Sequence, residues 1–128
     1  MNRHLVMDDR FELQRFVIAQ SEDDQYGIAT SELRAGRKLS HWMWFLFPQI
    51  AGLGMSPTSQ RYAISSLDEA RAYLQHPILG PRLVEVASVI LGNTDSTAVQ
   101  IFGELDAMKL RSSMTLFQQA EPEEPVFG

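Results

Sequence analysis

The chain has 128 residues, 45% of them hydrophobic and 21% charged, proportions that fit one soluble globular domain and exclude a disordered, fibrous or repeat protein. Its net charge of −5 disfavours nucleic acid or an anionic membrane as main partner, because both select a basic footprint. Cysteine is absent, which removes disulfides, thiol nucleophiles and cysteine-based metal centres together and fits a reducing, cytoplasmic setting.

Between Asp8 and Gln20, Leu13, Phe16 and Val17 recur at three- and four-residue steps and predict a first helix. After the acidic break from Ser21 to Gln25, Tyr26 to Ala35 predicts a second, with Gly36 just past its end, where a left-handed cap favours glycine. Arg34, Arg37 and Lys38 form the best basic patch of the chain. Directly after it, His41-Trp42-Met43-Trp44-Phe45-Leu46-Phe47-Pro48-Gln49 holds both tryptophans and four of the twelve aromatic residues. Such a run fits a buried strand or a helix that is apolar all round. No second strand-like run exists to pair with it, so backbone hydrogen bonding favours a helix capped by Ser40 and closed by Pro48. The unbroken apolar stretch, Trp42 to Phe47, is six residues long against the roughly 20 that cross a bilayer. No run of signal-peptide length precedes it.

Gly52 to Ser59 reads as a loop, and Ser66-Leu67-Asp68-Glu69 has the spacing of a capping box that opens a helix stopped by His76-Pro77. A histidine at that helix end suits the dipole through its partial positive charge. Gly80-Pro81 starts the next helix and Gly92-Asn93 ends it. Asp95 or Ser96 is positioned to cap a short helix through Phe102; Gly103 interrupts, and Leu105 to Gln118 forms the last segment. The prediction is an all-α fold: a single compact domain of about six to eight short helices over residues 1–120. An acidic, proline-containing tail over 121–128 follows, expected not to pack; without Glu121, Glu123 and Glu124 the globule carries −2.

Chemistry-bearing residues are few. His4, His41 and His76 have no mutual spacing of three or four, so neither a metal site nor a cofactor is predicted. His41, between the basic patch and two tryptophans, suits a donor, a stacking surface or a general acid or base, or else a structural hydrogen bond at the helix start. Trp42 and Trp44 are core residues or a stacking platform; each indole N–H needs a partner when buried, with Gln49 and the serines of the following loop as candidates. Gly52-Leu53-Gly54-Met55-Ser56, with Ser59 and Arg61 behind it, can present N–H groups to a phosphate, but lacks the lysine and hydroxyl of a P-loop. Asp106, Lys109 and Ser113 share a helix face: a solvated surface, or, facing a cleft, an anion site.

His41 to Gln49, Gly52-Leu53-Gly54 with Ser56 and Ser59, and Tyr62-Ala63-Ile64 are the first blocks of a wider pattern. Glu69-Ala70, Tyr73-Leu74, His76-Pro77, Ile101-Phe102-Gly103, Asp106 with Lys109-Leu110, and Ser112-Ser113 continue it. Together they resemble the bacterial domain of unknown function family 1810, the Rv1873-like helical proteins, from about Phe11 to Phe117. The resemblance implies an all-helical fold and supplies no activity. It marks His41, Trp42, Trp44, Gln49, Ser59, Tyr62, His76, Asp106, Lys109 and Ser113 as polar or aromatic positions inside the motif blocks. The resulting expectation is a small binding domain with a pocket beside the aromatic run for a planar or anionic small molecule. Trp42 or Trp44 would stack on it, and Lys38, His41, Gln49, Ser59, Tyr62, Asp106, Lys109 and Ser113 would line it. The alternatives are a protein-interaction module exposing part of the aromatic cluster, and an enzyme with His41 as general acid or base and Lys109 or Arg61 stabilising an anion.

Overall fold

The computed structural model describes residues 11–52, 56–92 and 97–127, with the side chain of Ser59 outside that set. Eight α-helices and two 3-10 turns occur among them: α1 (Gln14–Ser21), α2 (Gln25–Arg34), α3 (Met43–Leu46), α4 (Pro57–Arg61), α5 (Leu67–Gln75), α6 (Leu79–Gly92), α7 (Ala98–Phe102) and α8 (Glu104–Ala120), with turns at Glu22–Asp24 and Pro125–Phe127. The fold is all-helical, and no described helix is long and apolar enough to cross a membrane. α8 is the spine: it packs on α5 and α7, while α6 bridges α5 and α2.

Helix ends follow local chemistry. Gly36 takes a left-handed φ of 78°, and its N–H and that of Arg37 return to the carbonyls of Leu33 and Glu32, closing α2 in a Schellman turn. Ser66 Oγ accepts from Glu69 N, as its spacing predicts, but Glu69 sends its carboxylate to Ser65 N and Oγ and to Arg15 instead of to the Ser66 backbone. α7 is capped by Thr97, with Gln100 reciprocating; the predicted caps Asp95 and Ser96 lie outside the described residues. His76 corrects expectation. Its Nδ1 accepts from Ile78 N and Leu79 N at 3.1 and 3.3 Å, so it caps the start of α6 with a lone pair and gives no positive charge to the end of α5 through that atom. Gly80 is needed for packing: a Cβ there would stand 2.0 Å from the Leu74 carbonyl oxygen, which lets α5 and α6 approach at their junction.

The core is an aromatic chain. Phe16 meets Tyr73 edge-on at 5.1 Å, Tyr73 meets Phe117 at 5.3 Å, and Phe117 meets Phe127 at 5.9 Å. A second group joins Trp42, Phe47 and Phe102 at 6.1 to 6.3 Å. Polar side chains inside it are largely paired. Gln20 Nε2 donates to the Phe45 carbonyl and the Tyr73 hydroxyl and its Oε1 accepts from Arg82, while burial pushes the Tyr73 phenol up. Arg15 spends its guanidinium on Glu69 and on the carbonyls of Phe11, Glu12, Arg61 and Ala63.

Of the predicted first helix, Asp8 to Arg10 lie outside the described residues; its described part is helical from Gln14, after Glu12 takes a left-handed φ of 54°. One expectation fails here. The tail after Ala120 does pack: Phe127 is 3% exposed against Phe117, and a buried phenyl ring outweighs the three neighbouring glutamates. Phe127→Ala is expected to lower unfolding stability by about 3 kcal/mol, the cost of emptying a buried phenyl site, measured by urea denaturation. A loss under about 0.5 kcal/mol would return this segment to the status of a loose tail.

Candidate functional site

The aromatic run is not the continuous helix that its composition suggests. Only Met43–Leu46 winds one α-turn, and Ser40 does not cap it. The reason is Glu32, in the last turn of α2. Its carboxylate accepts from Leu39 N at 2.8 Å, Ser40 N at 2.9 Å, Ser40 Oγ at 2.6 Å and Trp42 Nε1 at 2.9 Å. Residues 39–42 are therefore wrapped round an anion, and Ser40 donates its hydroxyl where a cap would accept. After the turn Pro48 brings no N–H, and the chain pairs instead at a parallel bridge between Ile50 and Ile64, through Ile64 N to Gln49 O and Ala51 N to Ile64 O.

Burial pushes the Glu32 carboxyl up, but the donors Ser40 Oγ, Leu39 N, Ser40 N and Trp42 Nε1 outweigh it and hold it down at about 2. A carboxyl depressed in the folded state stabilises the fold above its unfolded value and loses that contribution as pH falls through its folded value. Stability from Glu32 is thus present above about pH 4.5 and drains away toward pH 2. The expected outcome is that Glu32→Gln costs about 2 kcal/mol at pH 7 and flattens the acid limb of stability against pH relative to the parent chain, read by denaturant melts at successive pH values. Parallel acid limbs in the two proteins would contradict this.

The wrapped segment places Lys38 next to α8. Lys38 N donates to the Ile101 carbonyl, and Lys38 Nζ reaches Asp106 at 2.9 Å while lying 5.2 Å from the Trp42 ring centroid. Asp106 also accepts from Lys109 Nζ at 3.2 Å, and that ammonium stands 4.3 Å from the centroid of Trp44. Burial pushes Asp106 up, but the hydrogen bonds and charges of Lys38 and Lys109 prevail and keep it below its usual range. Two ammonium groups share one carboxylate, so the group carries a formal +1 (two minus one) in a protein of net −5.

The expected site residues therefore divide. Lys38, Trp42, Trp44, Asp106 and Lys109 come together. Trp42 is 0% exposed, with its indole N–H held by Glu32 and not by Gln49 or a loop serine, so it has no free face for a ligand. Trp44 and Lys109 keep partial exposure. Among the described residues, Ser113, on the same helix face, is fully buried with its Oγ unpartnered, and Gln49 Nε2 is likewise a buried donor without an acceptor. Full burial removes Ser113 from direct ligand contact. Tyr62 packs on Phe16 and Phe45 with Arg61 over its ring, a contact set that shares no residue with the lysine group. Ser59 lies in α4 and Leu53, Gly54 and Met55 lie outside the described residues, so the phosphate-loop reading has no described geometry. His41 is exposed, with no orienting partner among the described residues.

Sequence reasoning missed Glu32 altogether. Its signal was an acidic residue in the last turn of a helix, where the dipole disfavours negative charge, followed at once by a glycine-capped reversal.

Together, the all-helical fold and the lysine–carboxylate–indole group at α8 define a small helical domain with a pre-positioned cation beside a partly exposed indole. The chain belongs to the family described as protein of unknown function (DUF1810), whose model matches residues 10–128. Among solved structures it is similar to the conserved hypothetical protein Rv1873 from Mycobacterium tuberculosis, at 52% identity and a TM-score of 0.89, over 93% of this chain and 84% of that one. No curated protein matches it.

Proposed function

We propose that this protein is a binding domain for a small planar anion, held where Trp44 of α3 meets Lys109 of α8. The observation that carries the reading is the Lys109 ammonium lying 4.3 Å from the centroid of a partly exposed indole while its one carboxylate partner among the described residues, Asp106, is already satisfied by Lys38. An aromatic or heteroaromatic ring stacks on the open part of Trp44, and its negative charge is met by the surplus cation of the lysine pair. The cation is pre-positioned, because Lys109 is tied to Asp106 and Asp106 to Lys38, so little side-chain entropy remains to be lost on binding.

Protein interaction through the aromatic cluster has less to work with, since Trp42, Met43, Leu46 and Phe47 are buried and only Trp44 and Phe45 of the run's large side chains keep partial exposure. A general acid–base role for His41 has no support from its surroundings, which supply no carboxylate or carbonyl to orient the imidazole among the described residues.

The test is a thermal-shift screen of nucleotides and aromatic carboxylates against the parent chain, Lys109→Ala and Trp44→Leu. A ligand present at about 100 times its Kd stabilises by about 2.7 kcal/mol, a rise of several degrees, and both variants are expected to lose that rise. No shift with any planar anion at millimolar concentration would sink the proposal. Ser113→Ala is expected to leave binding unchanged and to raise stability by about 1 kcal/mol in urea, because it removes a buried hydroxyl with no partner among the described residues.

A further inference from the structure

On the neighbouring stripe of α8, residues 108, 112, 115 and 119 succeed one another at helical spacing and form one wall of a separate cavity of about 480 Å³. Ile50, from the bridge, and Leu67, the first residue of α5, form the other wall. The volume lies within the range of small-molecule clefts, roughly 300–1,000 Å³. Met108, at its edge, is 60% exposed.

The charge of this cavity is opposite to that of the protein. Its lining contains Arg111 and no acidic residue, in a chain of net −5. The other described arginines near carboxylates are paired: Arg15 with Glu69, Arg71 with Asp68 and Arg34 with Glu85. The Arg111 guanidinium, in contrast, has no partner among the described residues; Thr115 Oγ1 donates to its backbone carbonyl. An unpaired, always-charged planar donor beside four apolar side chains, Ile50, Leu67, Met108 and Leu116, is complementary to an amphipathic carboxylate. From residue 108 to 119 the helix rises about 16 Å, which suits an extended chain better than a compact ring system.

We propose that this groove binds a monomeric medium-chain carboxylate, with its head on the Arg111 guanidinium and its alkyl chain along Ile50, Leu67, Met108 and Leu116. The site is independent of the Trp44–Lys109 reading, and the two fail separately.

The experiment is titration of the full chain with hexanoate, octanoate and decanoate below their micellar concentrations, followed by calorimetry and by methyl NMR of Ile50, Leu67, Met108 and Leu116. Affinity is expected to rise about threefold with each added methylene, with shifts centred on those methyl groups. Arg111→Gln, at an exposed position, is expected to weaken decanoate about tenfold and to leave 1-decanol binding unchanged. Trp44→Leu is expected to leave decanoate binding intact. Absence of saturable binding, equal decanoate affinity in Arg111→Gln, or binding only to phosphatidylglycerol vesicles would overturn the proposal. So would a concentration-dependent dimer, seen by sedimentation, that excludes the carboxylate from the groove.

Discussion

One carboxylate organises the half of the molecule that carries the candidate site. Glu32 accepts four hydrogen bonds, from two backbone N–H groups, a hydroxyl and an indole, across the chain reversal that follows α2. A helix C-terminus is an unfavourable place for a negative charge, and the backbone there makes the position tenable by turning back: the Schellman turn at Gly36 brings residues 39–42 over the side chain. Hydrogen bonds to an ionised acceptor are stronger than neutral ones, so the segment follows the anion instead of its own helical propensity. The one-turn α3, the burial of Trp42 and the delivery of Lys38 to Asp106 all follow from this geometry.

From there the structure divides its aromatic run by depth. Trp42 and Phe47 complete a core with Phe102, while Trp44 is left at the surface under Lys109. The two indoles of the run thus differ in depth, because the N–H of Trp42 finds the Glu32 carboxylate and that ring is sealed in. The lysine pair is likewise not a loose basic patch: Asp106 neutralises half of it and fixes the rest. A charge that is both surplus and pre-positioned is what distinguishes this group from the exposed ion pairs Arg71–Asp68 and Arg34–Glu85, which contribute little to stability or recognition.

How much was legible in the sequence depends on the range of the interaction. Gly36, Ser66, Gly103 and the helices they punctuate were legible because caps and glycine turns act over a few residues. The coincidence of Asp106, Lys109 and Ser113 on one face was legible for the same reason. What was not legible is long-range. Ser40 has the composition of a cap, yet its hydroxyl is taken by a residue eight positions back. His76 was read as a charge for one helix and serves as a lone pair for the next. Phe127, among glutamates and prolines, has no periodicity to announce that Phe117 awaits it. The apolar groove beside Arg111 joins Ile50, Leu67 and α8, three segments whose contact no local pattern encodes.

The dependence of this architecture on Glu32 is most directly measured by following the Glu32 carboxyl carbon and the Trp42 indole N–H together by NMR as pH is lowered. The account predicts a carboxyl midpoint at about 2, with the indole resonance moving at the same midpoint as its acceptor is protonated. A midpoint at the ordinary glutamate value near 4.5, with an indole signal indifferent to it, would contradict the claim that this carboxylate holds the aromatic run in place.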